Sequence, residues 1–272
     1  MYRIPGFLLL SFLSLKLQAQ ANLNTSPPRL YYQTAAGSSS KQHIAIANRG
    51  NKPIELVVSV SDWNYDSLGN NHFYDAGQLP ASCAGWVTVN PGPYITLAPQ
   101  EQTALTVTLK PPPGADTMNI PVRTAMVFLT QLNATPTAAA NGASVRVALQ
   151  VGTKIYHSFS DRNDPSVVVT NFTDMASDSN ASARQQQLEL TLENNGKGWV
   201  EGSVETELFN QATGKKIRLE EVPLYSLPGD RRKITITLPA TLAGGLYLAT
   251  AVIDYGRKNL PEIAELEFYL NK

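Results

Sequence analysis

Apolar and polar residues alternate with period two along most of this chain, and one run shows the pattern best. From Ser144 to Tyr156, Val145, Val147, Leu149 and Val151 alternate with Arg146, Ala148 and Gln150. Successive side chains of an extended backbone point to opposite faces, so this spacing predicts a strand with an apolar row on one side. Gly152 interrupts the run, and Lys154 follows in the opposite parity, on the polar face unless a bulge at the glycine re-aims it. The pattern fits either an inner strand of a β-sandwich or an interaction strand with a charged anchor at its end.

The same periodicity predicts strands over residues 29–34, 42–47, 54–60 running on to Asp62 and Trp63, 86–89, 105–109 and 123–129. Turn signals separate them: Asn48-Arg49-Gly50, Asp66 to Gly69, Pro91 and Pro93, and the block Pro111 to Pro113. Residues 158–165 are polar and end in Pro165, which marks a domain boundary. Beyond it, strand patterns cover residues 167–169, 188–192, 200–209, 234–238, 246–253 and 264–270, while Asp174 to Arg184 reads as a loop. The two halves echo one another. Leu97, Pro99 and Glu101 precede the alternating run 105–109, as Leu227, Pro228 and Asp230 precede 234–238, and Asn195-Gly196 answers Asn48-Arg49-Gly50. The expected fold is all-β: two immunoglobulin-like β-sandwich domains in tandem, residues 22–158 and 159–272.

Residues 1–21 alter the picture of where such a chain works. Arg3 precedes an apolar run from Phe7 to Leu15, and Ala19 and Ala21 supply the small residues a signal peptidase reads. This is the pattern of a cleaved secretory signal peptide, and no other stretch has the length of an integral membrane segment. A periplasmic location is expected. Cys83 is the one cysteine, so no intramolecular disulfide can form. The 22 basic and 22 acidic side chains balance, which argues against a nucleic-acid partner held by phosphate neutralisation.

Reactive chemistry finds little support. Asp62, Asn64 and Asp66 have the alternate spacing that opens a calcium loop, but Ser67 stands where that loop needs glycine and Phe73 where it needs glutamate. His43, His72 and His157 are isolated, there is no Gly-x-Ser-x-Gly elbow, and no glycine-rich phosphate loop occurs. The expectation is no metal, no cofactor and no catalysis. Two cations remain, Arg29 on the opening strand and Lys154 at the end of the alternating run, on strands that a sandwich can place side by side.

Several motifs of the first domain resemble the amino-terminal domain of the PapD-like periplasmic pilus-assembly chaperones. They are Pro28-Arg29-Leu30-Tyr31, residues 44–48, Trp86 to Pro99 leading into 105–109, Pro121-Val122-Arg123, and Val147 to Gln150 followed by Lys154-Ile155-Tyr156. The resemblance implies that the alternating strand completes an immunoglobulin-like subunit lacking its last strand, and that two cations hold the subunit's terminal carboxylate. Carried over by position, the anchors are Arg29 and Lys154, and the donor residues are Val145, Val147 and Leu149, with Val151 as a fourth. The chain departs from the family at Thr124, where an acid is expected, and at Ser158, where an arginine is expected shortly after Lys154. The second domain resembles generic bacterial immunoglobulin-like modules.

These observations imply a periplasmic chaperone that caps secreted or pilus-type subunits. Its expected partners are such subunits and an outer-membrane assembly protein. The alternative is a non-enzymatic scaffold or binding protein of two immunoglobulin-like domains.

Overall fold

The computed structural model describes residues 22–134, 137–138, 144–145, 148–159, 163–175, 186–256 and 260–271. The expected signal peptide, Val147 and most of the expected loop from Asp174 to Arg184 lie outside the described residues. The first half holds β1 (Leu23–Ser26), β2 (Arg29–Gln33), β3 (Ser40–Asn48), β4 (Ile54–Tyr65), β5 (Asn71–Tyr74), β6 (Val87–Asn90), β7 (Tyr94–Leu97), β8 (Gln102–Leu109), β9 (Arg123–Gln131), β10 (Thr137–Ala138), β11 (Ser144–Val145) and β12 (Gln150–Ser158). The second holds β13 (Val167–Met175), β14 (Gln187–Asn194), β15 (Val200–Asn210), β16 (Lys216–Arg218), β17 (Val222–Ser226), β18 (Arg231–Thr237), β19 (Gly245–Asp254) and β20 (Glu262–Leu270).

No described sheet mixes strands from the two halves. In the first, a sheet in the order β1-β3-β8-β6 faces one in the order β2-β12-β9-β4-β5, with β7 also paired to β4. Their inward rows, including Leu30, Ile44, Ile46, Leu56, Leu105, Val107, Val127, Leu129 and Ile155, form a closed core. Tyr32 is buried in it and spends its hydroxyl on the Val107 carbonyl at 2.8 Å. In the second half, β13-β14-β18 faces β16-β15-β19-β20, with β17 on β15, around Leu188, Leu190, Leu208, Ile234, Ala249 and Ile253. This is the expected pair of all-β sandwiches.

A third apolar cluster joins the halves. Trp63, Tyr65, Val122, Met126, Phe128 and Tyr156 from the outer face of the first domain pack with Trp199 from the second. Next to it, the β4–β5 hairpin tip touches β18, where the Lys233 amide donates to the Ser67 carbonyl at 2.7 Å.

The alternating run from Ser144 to Tyr156 is not one strand. Thr130 on β9 is the last residue opposite β12, at Gln150. The Leu149 carbonyl still accepts the Gln131 amide of β9 at 2.8 Å, whereas β11 pairs with β10 in a separate ribbon. From Gln150 to His157 the β12–β9 register is continuous, so no bulge re-aims Lys154 and it shares a face with Gln150.

Candidate functional site

Arg29 and Lys154 meet. β2 runs parallel to β12 with Arg29 directly opposite Lys154, and the Lys154 amide donates to the Pro28 carbonyl at 3.0 Å. Residues at one register position of a sheet share a face, so both cations leave the sheet on the side turned toward the second domain.

Each cation sits against aromatic rings. The Lys154 ammonium lies 4.1 Å from the Trp63 ring centre and 4.2 Å from that of Tyr65, and donates to the Tyr65 hydroxyl at 2.8 Å. The Arg29 guanidinium lies 4.5 Å over the Tyr225 ring. Such contacts favour a cation but replace only part of the water it gives up. Burial, with Arg29 nearby adding repulsion, accordingly pushes the Lys154 pKa down to about 8. Tyr65 and Tyr156, whose hydroxyls are 3.3 Å apart, are both pushed up by burial. Both phenols therefore stay neutral and able to donate.

The second domain supplies residues that no motif announced. Glu201 Oε1 is 3.3 Å from Arg29 Nε and accepts a hydrogen bond from the Tyr31 hydroxyl. Trp199 stacks on Tyr31 at 5.4 Å between ring centres, and Tyr31 stacks in turn on Tyr156 at 5.3 Å. Arg232, only 6% exposed, lies 5.1 Å from the Tyr65 ring, and its Nε and Nη1 have no hydrogen-bond partner among the described residues. Gly69 makes room for it, since a Cβ there would stand 1.9 Å from Arg232 Nη2, and its φ of +92° is one that side chains avoid.

The apolar row is divided. Leu149 and Val151 are half-buried and pack against the rim of the first core, in the parity of Ile155. Val145 lies in β11. β2 pairs with β12 only from Lys154 to Ser158, so among the described residues Gln150 to Thr153 have a ladder on the β9 side alone, and the Thr153 hydroxyl reaches the Pro27 carbonyl at 3.5 Å. Pro27 and Pro28 precede β2, and lacking N–H groups they cannot carry the ladder upstream over this edge. The Gln150 and Gly152 amides share the parity of the Lys154 amide and point to the open side. A Cβ at Gly152 would come within 2.8 Å of Met126 Sδ and 2.9 Å of Phe128 Cε1, so a larger residue there has to displace both side chains.

The remaining polar candidates have structural partners. Asp62 is buried and accepts from the Leu79 amide at 2.8 Å and the Ser82 hydroxyl, while Asp66 organises the hairpin tip through the Leu68 and Asn70 amides. His157 Nε2 lies 2.9 Å from the Thr34 carbonyl, and burial lowers its pKa. Arg123 lies beneath Trp86 and donates to the Pro80 and Ser82 carbonyls, and Thr124 bonds the Trp63 carbonyl, so this stretch braces the first domain. Among the described residues no group of three or more His, Cys, Asp or Glu could hold a metal, and no helix is long and apolar enough to cross a membrane.

Comparisons with protein-family models and with curated proteins find no match. Among solved structures, fimbrial chaperones align along most of the chain. The CsuC–CsuE chaperone–tip adhesion subunit pre-assembly complex of Acinetobacter baumannii Csu pili matches at 15% identity, covering 90% of this chain and 98% of that one with a TM-score of 0.48. A chaperone–tip adhesin complex of CFA/I fimbriae gives 11%, 90%, 98% and 0.46 in the same order. The E. coli chaperone DraB gives 15%, 92%, 98% and 0.44.

Proposed function

We propose that this chain is a periplasmic chaperone that caps secreted or pilus-type subunits, pairing a subunit strand with the open edge of β12 and holding the subunit's terminal carboxylate between Arg29 and Lys154. The observation that carries this reading is the shared register of the two cations, directly beyond four residues whose outer edge has no partner strand among the described residues. An unpaired edge adds a strand through main-chain hydrogen bonds, while alternate side chains fill the partner's groove. Val145, Val147 and Leu149, with Val151, are the donor side chains of this reading. Full burial of an aliphatic side chain is worth roughly 1.5–3 kcal/mol, and less for Leu149 and Val151, which are half-buried already. A carboxylate bridging the cations would add charge-assisted hydrogen bonds and fix the register of the added strand.

The cations also rank the alternative. Arg29 pairs with Glu201 across the domains, as expected of a scaffold whose charges only brace its interface. Lys154→Met separates the readings: methionine keeps the stem between Trp63 and Tyr65 and removes the charge. The chaperone reading expects the variant to stay folded and to bind a subunit peptide with a free α-carboxylate at least about tenfold more weakly, the loss of one charge-assisted hydrogen bond. The same peptide with a carboxamide end should bind both proteins alike. Equal binding of both peptides by wild type and variant returns the chain to the scaffold reading.

A further inference from the structure

Two register positions face one another across the domains. Arg29 and Lys154 are opposite residues of β2 and β12, and Glu201 and Tyr225 are opposite residues of β15 and β17. The second pair lies against Arg29: Tyr225 offers its ring to the guanidinium, and Glu201 offers a carboxylate to Arg29 and to the Tyr31 hydroxyl, leaving the arginine side chain 27% exposed. The cation that the foregoing reading assigns to an incoming carboxylate thus already holds one.

The fit of that carboxylate is incomplete. Arg29 Nε is buried and within ion-pair distance of Glu201, yet its N–H makes no hydrogen bond among the described residues, so the contact lacks the two parallel bonds of an arginine–carboxylate fork. The Lys154 ammonium has the Tyr65 hydroxyl as its hydrogen-bond partner and no carboxylate among the described residues. One carboxylate therefore serves one of two adjacent desolvated cations, whereas a ligand reaching both would serve the pair. At 34% side-chain exposure Glu201 is not locked in a core, and Trp199, two residues before it, rests on Tyr31 as a stacked ring.

We propose that Glu201 is a built-in stand-in for the ligand's terminal carboxylate, and that capture is an exchange of one carboxylate for the other at Arg29. This rests on the reading of Arg29 and Lys154 as a carboxylate anchor. The stand-in keeps Arg29 compensated while the site is free. It also sets a threshold, because small anions that gain nothing from the β12 edge must compete with a tethered carboxylate. A ligand that adds a strand and a carboxylate together wins the exchange. An occupied site lowers apparent affinity in proportion to the fraction of molecules in which it is free.

The test uses the full chain and a synthetic peptide of alternating valine and leucine, made with a free α-carboxylate and as the carboxamide, with binding followed by fluorescence anisotropy. Glu201→Gln keeps the side-chain shape and an acceptor for Tyr31 but removes the competing charge. It should bind the acid peptide roughly three- to tenfold more tightly than wild type and the amide peptide no differently, the gain expected on freeing a mostly occupied site. Glu201→Asp, which keeps the charge but withdraws it by one methylene, should give a smaller gain in the same direction. Unchanged or weaker binding of the acid peptide by either folded variant, while wild type still prefers acid to amide, overturns the exchange and leaves the anchor standing. Equal binding of acid and amide by wild type, insensitive to Arg29→Gln, removes the anchor and the exchange together.

Discussion

Lys154 keeps its charge against two aromatic faces and a phenol, and burial brings its pKa from 10.5 down to about 8. Because the folded pKa lies below the unfolded one, the unfolded chain binds more protons between those values, so this residue makes folding more favourable as pH rises through about 8 toward 10.5. Carboxylate binding needs the charged form and should change the opposite way. Thermal stability should therefore hold or improve between pH 7 and roughly 9.5 while affinity for the acid peptide falls, and Lys154→Arg, charged throughout, should bind with little pH dependence. Parallel melting and binding titrations check both trends, and a joint rise or joint fall contradicts the assignment. At this scale Arg29 and Lys154 were legible in the sequence because their motifs resemble a known family. Glu201 and Arg232 were not, since neither lies in a motif and the Tyr31–Glu201 contact spans 170 residues of chain.

The open edge that the proposed capture uses on β12 follows from where its neighbours stop. The β9 ladder reaches Gln150, and β2 joins only at Lys154, so among the described residues Gln150 to Thr153 are paired on one side. A strand added there should slow hydrogen exchange at the Gln150 and Gly152 amides, which point outward, and much less at Val151 and Thr153, which point toward β9. Residue-resolved exchange with and without the acid peptide measures this, and protection spread evenly over the four would mean binding elsewhere. Alternation predicted the longer strands with one buried face but missed the short ones: β1, β16 and β17, β5, which is exposed at every position, and β7, which starts just after Pro93. The internal echo proved physical. Asn48 and Asn194 are buried and each accepts, through Oδ1, the amide of the glycine two residues on. Glu101 and Asp230 each accept the amide three residues back. The repeated asparagine is Asn194, one residue before the Asn-Gly pair that looked equivalent, because burial rather than the turn dipeptide is what the two sites share.

The two sandwiches meet through aromatic stacking, cation–ring contacts, the Arg29–Glu201 ion pair and the hairpin contact at Ser67, while the described linker residues bond to the second domain. The Lys197 amide donates to the Asp164 carbonyl, the Asn195 amide to that of Ser166, and Asn163 Nδ2 to that of Trp199. Asn163 is thus the first described linker residue that bonds to the second module. A fragment from Asn163 to Lys272 should fold alone with one cooperative transition and a β-type circular dichroism spectrum. A fragment begun at Val167 should melt lower, and a disordered longer fragment would refute the independence of the module. The sequence placed the boundary between residues 158 and 165 from composition. It could not show which side the linker docks on, because that depends on backbone carbonyls reached from the Asn194 turn. The parallel seam of β2 with β12 also bears on the order in which the molecule comes into being. It joins the two ends of the first domain, bringing His157 to the Thr34 carbonyl across 123 residues. Such distant pairings close late, after the shorter hairpins have formed. A chain still emerging from its amino terminus has Arg29 without Lys154 beside it, so the proposed grip on a carboxylate would arrive only when the whole first domain has closed.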